Sequence, residues 1–538
     1  MNKFLSVLEK NYSIFLLLFF LHLFPFMFAF DANNEDIWER IGVSFVYVLL
    51  TSTVLVLIFK KVRLIVTILV CLIVYIPNVI VLSYLLMDNV IMKSTDFWVI
   101  FNTNFQEATN LFSTLPVNVF IWVTVYTVLI IVGVFWTAKK DSDVQVPMWV
   151  QILSLTVLLC VSLINPFRSK VAMIDFYKSF YKYNKEKHDV ADFYKSRKDL
   201  ILDVERMYPA GKNTILIIIG ESQNRQHSQL YGYQRQTNPQ LSEIRDELTI
   251  YKDVCSPAIQ TLASMKQILT FSNYEAPDLY KMEANIIELL RSGGYKTFWF
   301  DNQGGEKNAM FAIDVYTPTS YRIMAQQSDV FCITNEYDSV LLGKLKNALS
   351  DTVSNKAIFL HLMGNHFEYS QRYEEAFSLF CDSTNVRGAY RAKFTEEDIN
   401  VINAYDNSVC YTDYILRSCV EMLRAAGGRS AMLYFSDHGE EVFDYQYYYR
   451  RSFEKISPAM CEIPLILWMN DKYKDSHELT LDPQRPYCTD DIIYSIMDIS
   501  GIRYSTYDST RSIFSSSFCP KERKVHGIPY ESIVAKYK

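Results

Sequence analysis

Five stretches of this chain carry no Asp, Glu, Lys or Arg: residues 12–30, 41–59, 64–87, 117–136 and 147–164. Each runs roughly 18–24 residues, enough for a helix to cross a hydrocarbon core of about 30 Å. One such window alone would suit a buried core helix, but five in series predict membrane spans. The first is too long for the apolar part of a cleaved signal peptide, and four more follow it. Lys3 and Lys10 precede the first window, Lys60, Lys61 and Arg63 join the second to the third, and Lys139 and Lys140 join the fourth to the fifth. The opposite loops, DANNEDIWER and DNVIMKSTDFW, are poor in Lys and Arg. Positive-inside logic therefore predicts a cytoplasmic N-terminus and an exported segment after residue 164. The basic stretch 168–187 runs against the rule, but long exported domains translocate regardless of charge.

The remaining residues are not disordered. Aromatics make up 15% of the 538 residues, and the net charge of -6 argues against a nucleic-acid binder relying on a basic surface. Cys71 and Cys160 fall inside predicted spans. The other eight cysteines form an even set in an oxidising compartment, so disulfides are expected there, with about 105 pairings open. Cys410 and Cys419 fall on one predicted helix, about 13 Å apart at 1.5 Å per residue, too far to pair with each other.

From about residue 211 short β-branched or aromatic runs alternate with helical stretches. The runs 214–219 (TILIII), 296–300 (KTFWF), 357–361 (AIFLH), 431–435 (AMLYF) and 464–468 (PLILW) read as buried strands. Residues 285–292 and 397–426 carry helical patterns between them. This alternation predicts an α/β domain with a mainly parallel sheet covered by helices. The division expected is 1–164 as a five-helix transmembrane domain, 165–210 as a helical juxtamembrane linker and 211–538 as the soluble domain. The linker's Tyr, Phe and Lys suit an interfacial position.

Four strands run into polar residues: Gly220-Glu221-Ser222, Asp301-Asn302-Gln303, Met363-Gly364-Asn365-His366 and Ser436-Asp437-His438-Gly439. Ligands of open α/β sheets bind just beyond the carboxyl ends of strands, so this convergence marks a candidate enzyme site. Glu221, Asp437 and His438 offer two carboxylates and an imidazole, a set suited to zinc with an open position. A metal there would lower the pKa of a side-chain hydroxyl and make Ser or Thr nucleophilic at neutral pH. Ser222, Thr261, Ser264 and Thr270 are all candidates, and spacing does not choose among them. Lys307 is placed to neutralise a phosphoryl oxygen, and His361 and His366 to hold a phosphate or protonate a leaving group. No G-x-S-x-G, Walker A or G-x-G-x-x-G sequence occurs, so serine-hydrolase, P-loop and Rossmann readings lack support. His188 and His227 read as surface histidines.

The stretch IGESQNR, followed by LYGYQRQTNP, resembles the bacterial inner-membrane phosphoethanolamine transferases, closest to the branches that modify the lipopolysaccharide core or lipid A. Gln260-Thr-Leu-Ala-Ser264, Asp301-Asn-Gln with Lys307, His361-Leu-Met-Gly-Asn-His366 with Arg372-Tyr373, Tyr405-Asp-Asn407 and Phe435-Ser-Asp-His-Gly-Glu440 extend the likeness over essentially the whole chain. The resemblance implies five spans and an outer alkaline phosphatase/sulfatase-like domain in the periplasm. It implies that Glu221, Thr261, Asp437 and His438 bind one tightly held zinc ion, with a second admissible during turnover. Thr261 would be the catalytic nucleophile, Lys307 and His366 would bind the phosphate, and Thr103 and Glu107 would approach the lipid headgroup. The implied reaction moves phosphoethanolamine from phosphatidylethanolamine to an envelope glycan through a phospho-threonine intermediate and releases diacylglycerol. The implied protein is a monomer among membrane lipids. The rival readings are a phosphoglycerol transferase, a sulfatase-like phosphohydrolase, or a catalytically degenerate glycan-binding membrane protein.

The chain departs from the family in two places. Family members usually carry another histidine some way after Asp-His-Gly, and residues 439–464 contain none. Tyr445, Tyr447, Arg450 and Arg451 stand in that stretch, while His477 and His526 lie beyond it. The cysteines that often bracket the nucleophile are also incomplete, since Cys255 has no counterpart between Thr261 and Tyr274.

Overall fold

The computed structural model describes residues 11–29, 36–58, 60–88, 92, 97, 100–101, 108–109, 112, 115–140, 147–196, 201–208, 211–303, 329–332, 336–453 and 455–538. The chain divides into two compact units, Met1–Glu186 and Lys187–Lys538.

The first unit is helical: α1 (Tyr12–Leu23), α2 (Asp36–Leu57), α3 (Lys60–Asp88), α4 (Val117–Lys140) and α5 (Met148–Ser162). Among the described residues, three helices are long and apolar enough to cross a membrane: Ile37–Leu57, Val62–Met87 and Val117–Lys140. The first and fifth windows yield the shorter apolar helices Tyr12–Phe28 and Met148–Ser162. Pro25 explains the first. It cannot donate an N–H back to the Leu21 carbonyl, and the chain tightens into a 3-10 turn over Phe24–Phe28. Asn78 Nδ2 and Tyr126 Oη both donate to that carbonyl at 2.6 Å, so α3 and α4 satisfy the acceptor that the proline leaves open. Around this point Leu17, Leu21, Val48, Val74 and Tyr126 form a buried core. On α4 and α5, Ile121, Val128, Val132, Phe135, Ile152 and Leu159 face outward. An outward apolar surface on helices of this composition is what a lipid environment accommodates.

The second unit is built on a seven-stranded sheet. Its strands are β1 (Asn213–Gly220), β2 (Leu248–Tyr251), β3 (Lys296–Asp301), β4 (Asp329–Cys332), β5 (Asn355–His361), β6 (Arg429–Ser436) and β7 (Leu465–Met469), in the spatial order β2-β7-β6-β1-β5-β3-β4. The pairs β6–β1, β1–β5, β5–β3 and β3–β4 are parallel. β7 pairs antiparallel with both β6 and β2, so the run at 464–468, read as one more strand of the parallel set, is the reversed one. Among the described residues, the chain between the end of β6 at Ser436 and Leu465 carries a small hairpin and a 3-10 turn but no crossover α-helix of the kind a parallel return needs. Side chains alternate along β1. Ile215, Ile217 and Ile219 face a core shared with α6 (Thr261–Leu269), α7 (Ile286–Ser292) and α8 (Ile492–Ser500). Leu216 and Ile218 face the opposite core, covered by α9 (Glu396–Ala426) and Val340–Ser350. Each of these fully buried aliphatics contributes about 2 kcal/mol by leaving water, which makes β1 the central rod of the unit.

Cys410 and Cys419 share α9, as the sequence predicts. The expected disulfides do not form: Cys71, Cys160, Cys255, Cys381, Cys410, Cys419, Cys461, Cys488 and Cys519 are free thiols. Cys255 and Cys488 face each other on a short parallel pair, and with Cys461 they pack into one small apolar cluster. His227, read as a surface residue, is 1% exposed, because Asp406 of α9 and Asp444 hold its two ring nitrogens.

Candidate active site

The parallel register brings the polar strand ends together. Gly220 lies opposite Ser436, Ile219 opposite His361, and Asp301 opposite His361, so residues following β1, β6, β5 and β3 emerge side by side. Glu221, Asp437 and His438 are fully buried there, with one ligand-type atom from each within 4.8 Å of the others. Gly364 permits this crowding. It has φ +51°, and a Cβ there would stand 2.9 Å from the backbone N and O of Glu221. Asp338 holds that turn by accepting from the N–H groups of Met363 and Gly364, each at 2.9 Å, and from Asn302 Nδ2 at 2.8 Å.

Thr261 opens α6, and its Oγ1 donates to Glu221 Oε2 at 3.0 Å while lying 3.3 Å from His438 Nε2. The helix N-terminus adds partial positive charge where an anion would sit. Gln303 Nε2 donates to the same Glu221 Oε2 at 3.0 Å, and Ser222 Oγ donates to Oε1 at 2.7 Å. Of the other candidate hydroxyls, Ser264 donates to Ala258 O and Thr270 to Lys266 O, both away from the cluster.

The donor set fits a divalent metal. His438 Nδ1 donates to Gly439 O at 2.8 Å, which leaves Nε2 as the ring atom facing Glu221 Oε1 at 3.2 Å and Asp437 Oδ2 at 3.3 Å. Asp437 Oδ1 accepts from the N–H groups of Ser222 and His438, whereas its buried Oδ2 has no hydrogen-bond partner. Two carboxylates and a ring nitrogen converging in a buried space suit a bound cation. Burial, reinforced by the Glu221 carboxylate, pushes Asp437 up to about 7.

His361 is also buried. Its Nδ1 meets Asp301 Oδ2 at 2.9 Å, and Asp301 is held in turn by Trp299 Nε1 and the N–H of Gln303. His366 stands close enough to Glu221 and Arg451 to feel their charges, and burial holds it down to about 4. Thr103, Glu107 and Lys307 lie outside the described residues.

The stretch lacking a family histidine supplies an arginine instead. Arg451 Nη1 lies 2.6 Å from His438 Nε2. Arg450 turns away and stacks over Phe367, Tyr447 donates to Asp398, and Tyr445 pairs with Gln226. His477 is remote, packed on Tyr473 and Tyr208. His526 does fold back: its Nε2 accepts from the Ile259 N–H at 2.9 Å, fixing the segment that leads into Thr261. Asp338 escapes sequence reading because no motif marks its neighbourhood, and the His227–Asp406 pair because its two residues are far apart in the chain. Tyr405 lies within a recognisable motif, yet its role is structural: it donates to Ser222 O and accepts from the Asn224 N–H.

A mixed sheet between helical layers, with a buried carboxylate–imidazole cluster facing a helix-borne threonine, defines an enzyme-type domain of the alkaline phosphatase/sulfatase class. The chain belongs to the sulfatase family, whose model matches residues 213–502. Its curated relatives are phosphoethanolamine transferases. It is 32% identical over 329 residues to phosphoethanolamine transferase EptC of Escherichia coli (strain K12), a match covering 59% of this chain. The chain spans only 56% of that relative's length. Among solved structures, the C-terminal periplasmic domain of the Escherichia coli EptC in complex with Zn is 28% identical, with a TM-score of 0.57, covering 62% of this chain and 96% of that one. The integral membrane lipooligosaccharide phosphoethanolamine transferase A from Neisseria meningitidis shares the fold at a TM-score of 0.63 and 17% identity, over 95% of this chain and 98% of that one.

Proposed function

We propose that this protein transfers phosphoethanolamine from phosphatidylethanolamine to an envelope glycan, the lipopolysaccharide core or lipid A, with Thr261 as the covalent carrier. The observation carrying this reading is the position of Thr261 Oγ1, at a helix N-terminus and within hydrogen-bond reach of both Glu221 and His438. Glu221, Thr261, Asp437 and His438 would hold a zinc ion, which when bound supplies Lewis acidity that lowers a hydroxyl pKa and offsets phosphoryl charge.

The remaining chemistry belongs to the chain. Thr261 Oγ1 attacks the phosphorus of the lipid, and its proton passes toward Glu221 Oε2, the atom to which it already donates. The bond from phosphorus to the diacylglycerol oxygen breaks, and that oxygen takes the proton that Glu221 accepted and leaves as diacylglycerol. A glycan hydroxyl, or the hydroxyl of a protonated glycan phosphate, then attacks the same phosphorus, and its proton passes by way of Glu221 to the departing Thr261 Oγ1. The α6 N-terminus favours the charge that builds on the phosphoryl oxygens, as do Lys307 and His366 in this reading. Gln303 keeps Glu221 oriented between the two steps.

A lipid donor explains the membrane unit. In this reading all five apolar helices span the inner membrane, the N-terminus is cytoplasmic and residues 211–538 work in the periplasm as a monomer, joined to the spans by 165–210. Thr103 and Glu107 meet the ethanolamine ammonium. The test is peptide mass spectrometry on zinc-loaded protein incubated with phosphatidylethanolamine and no acceptor. A phosphoethanolamine adduct on Thr261 is expected. A phosphoglycerol adduct from phosphatidylglycerol would redirect the donor assignment, and diacylglycerol release without any adduct would make it a hydrolase.

A further inference from the structure

Among the described residues, Arg451 is a cation in direct contact with the candidate metal cluster, through His438. It follows the short strand Tyr449–Arg450, whose pairing with Glu441–Val442 turns residue 451 back toward Asp437 and His438. Its Nε lies 3.5 Å from Glu440 Oε2, a carboxylate that is 1% exposed and fixed through Oε1 by the Tyr369 hydroxyl at 3.0 Å. Nη1 donates to Ile259 O at 3.3 Å, two residues before Thr261, and to His438 Nε2 at 2.6 Å.

That last contact has a consequence. His438 Nδ1 is committed to Gly439 O, so Nε2 offers a single lone pair, and a guanidinium N–H and a metal ion cannot both take it. We infer that Arg451 is an exchangeable cation: it competes with a metal for the His438 lone pair, and where the metal holds that lone pair it presents its guanidinium to the phosphoryl oxygens at Thr261. The inference rests on the functional reading above for its second half only. The Glu440 carboxylate, 3.5 Å from Nε, keeps the guanidinium beside Ile259 and the α6 N-terminus by charge when Nη1 leaves His438. A planar fork of N–H donors matches phosphate oxygens better than any other side chain. The site thereby keeps a positive charge near Glu221 and Asp437 whether or not metal is bound.

The experiment compares wild type, Arg451→Met and Arg450→Met as full-length protein in detergent. Zinc affinity of metal-free protein is measured by competition with a chelating dye, and affinity of zinc-loaded protein for inorganic phosphate by calorimetry. Loss of one charge-assisted hydrogen bond to the lone pair predicts zinc binding roughly tenfold tighter in Arg451→Met. Phosphate binding is expected to weaken by about tenfold or more in the same variant. Arg450→Met, whose guanidinium stacks on Phe367, is expected to match wild type in both. Zinc affinity that is unchanged or weaker in Arg451→Met overturns the exchange, and unchanged phosphate affinity overturns the second role. Should Arg451→Met fail to fold, Arg451→Lys is read instead: smaller shifts in the same two directions support the inference, and wild-type values in both overturn it. If wild type forms no adduct on Thr261 while the zinc shift holds, the functional reading fails and the exchange stands.

Discussion

Thr261 and Glu221, forty positions apart in the chain, share a 3.0 Å hydrogen bond in which the hydroxyl donates to Oε2. This bond couples the first residue of α6 to the residue that follows β1, and with the approach to His438 Nε2 it sets Thr261 apart from Ser264 and Thr270, whose hydroxyls bond backbone carbonyls elsewhere. Thr261→Ala is expected to abolish the phospho-adduct and lower transfer by about a thousandfold or more. Thr261→Ser should retain an adduct, and Ser264→Ala should leave adduct formation intact, because Ser264 Oγ is spent on Ala258 O. An adduct surviving in Thr261→Ala would sink the assignment.

The cluster of Glu221, Asp437 and His438 should make the soluble unit's stability depend on zinc. At free zinc about a hundredfold above its Kd, ligation to the folded state adds about 2.7 kcal/mol. Thermal melting with added zinc against chelator should show that upward shift in wild type. Asp437→Asn, which removes one of the two buried carboxylates, should lose most of it. An equal zinc response in Asp437→Asn would argue that the metal binds elsewhere.

His227 provides a pH signature independent of the metal cluster. Burial alone would lower its pKa, but Asp444 and Asp406 reverse this and raise it from 6.5 to about 10. A folded-state pKa above the unfolded one means that the protonated ring stabilises the fold fully below about pH 6.5. That contribution then fades as pH rises through 10. The melting temperature of wild type should therefore fall between pH 7 and 10 more steeply than that of His227→Gln. His227→Ala leaves Asp406 and Asp444 without their shared partner and should cost about 3 kcal/mol. A wild-type slope in His227→Gln would place the titration on another group.

Gly364 links backbone conformation to the metal cluster. Gly364→Ala would put a Cβ at 2.9 Å from the Glu221 backbone in a residue with φ +51°. Holding a non-glycine residue there costs about 2 kcal/mol, and relief requires the Glu221 segment to move. Calorimetric unfolding should show the loss, and dye competition should show zinc affinity reduced several-fold. Unaltered zinc affinity would mean that the Glu221 position does not depend on this turn.

Much of this architecture is legible in local sequence. The charge-free windows mark the apolar helices, though Pro25 shortens the first by removing the donor that would have extended it. The apolar runs ending in Glu221, Asp301, His361 and Asp437 mark four strands whose carboxyl ends meet, since a parallel sheet aligns every such end on one edge. Windows of a few residues suffice for these readings because strand and helix periods are properties of neighbouring residues.

Tertiary structure decided the rest. Nothing near residue 465 says that β7 runs against β6, because an apolar strand pattern is the same in either direction. Nothing near His227 says that Asp406 and Asp444 will bury it, nor near residue 338 that an aspartate will hold the turn before His366. The choice of Arg451 over Arg450, Tyr445, Tyr447, His477 and His526 as the group touching His438 follows from a two-residue hairpin pairing and a buried Glu440. Sequence determined which chemical groups the strand ends carry. Packing between segments hundreds of residues apart determined which of them share a lone pair, because hydrogen bonds are set by distances of a few tenths of an ångström that no local pattern encodes.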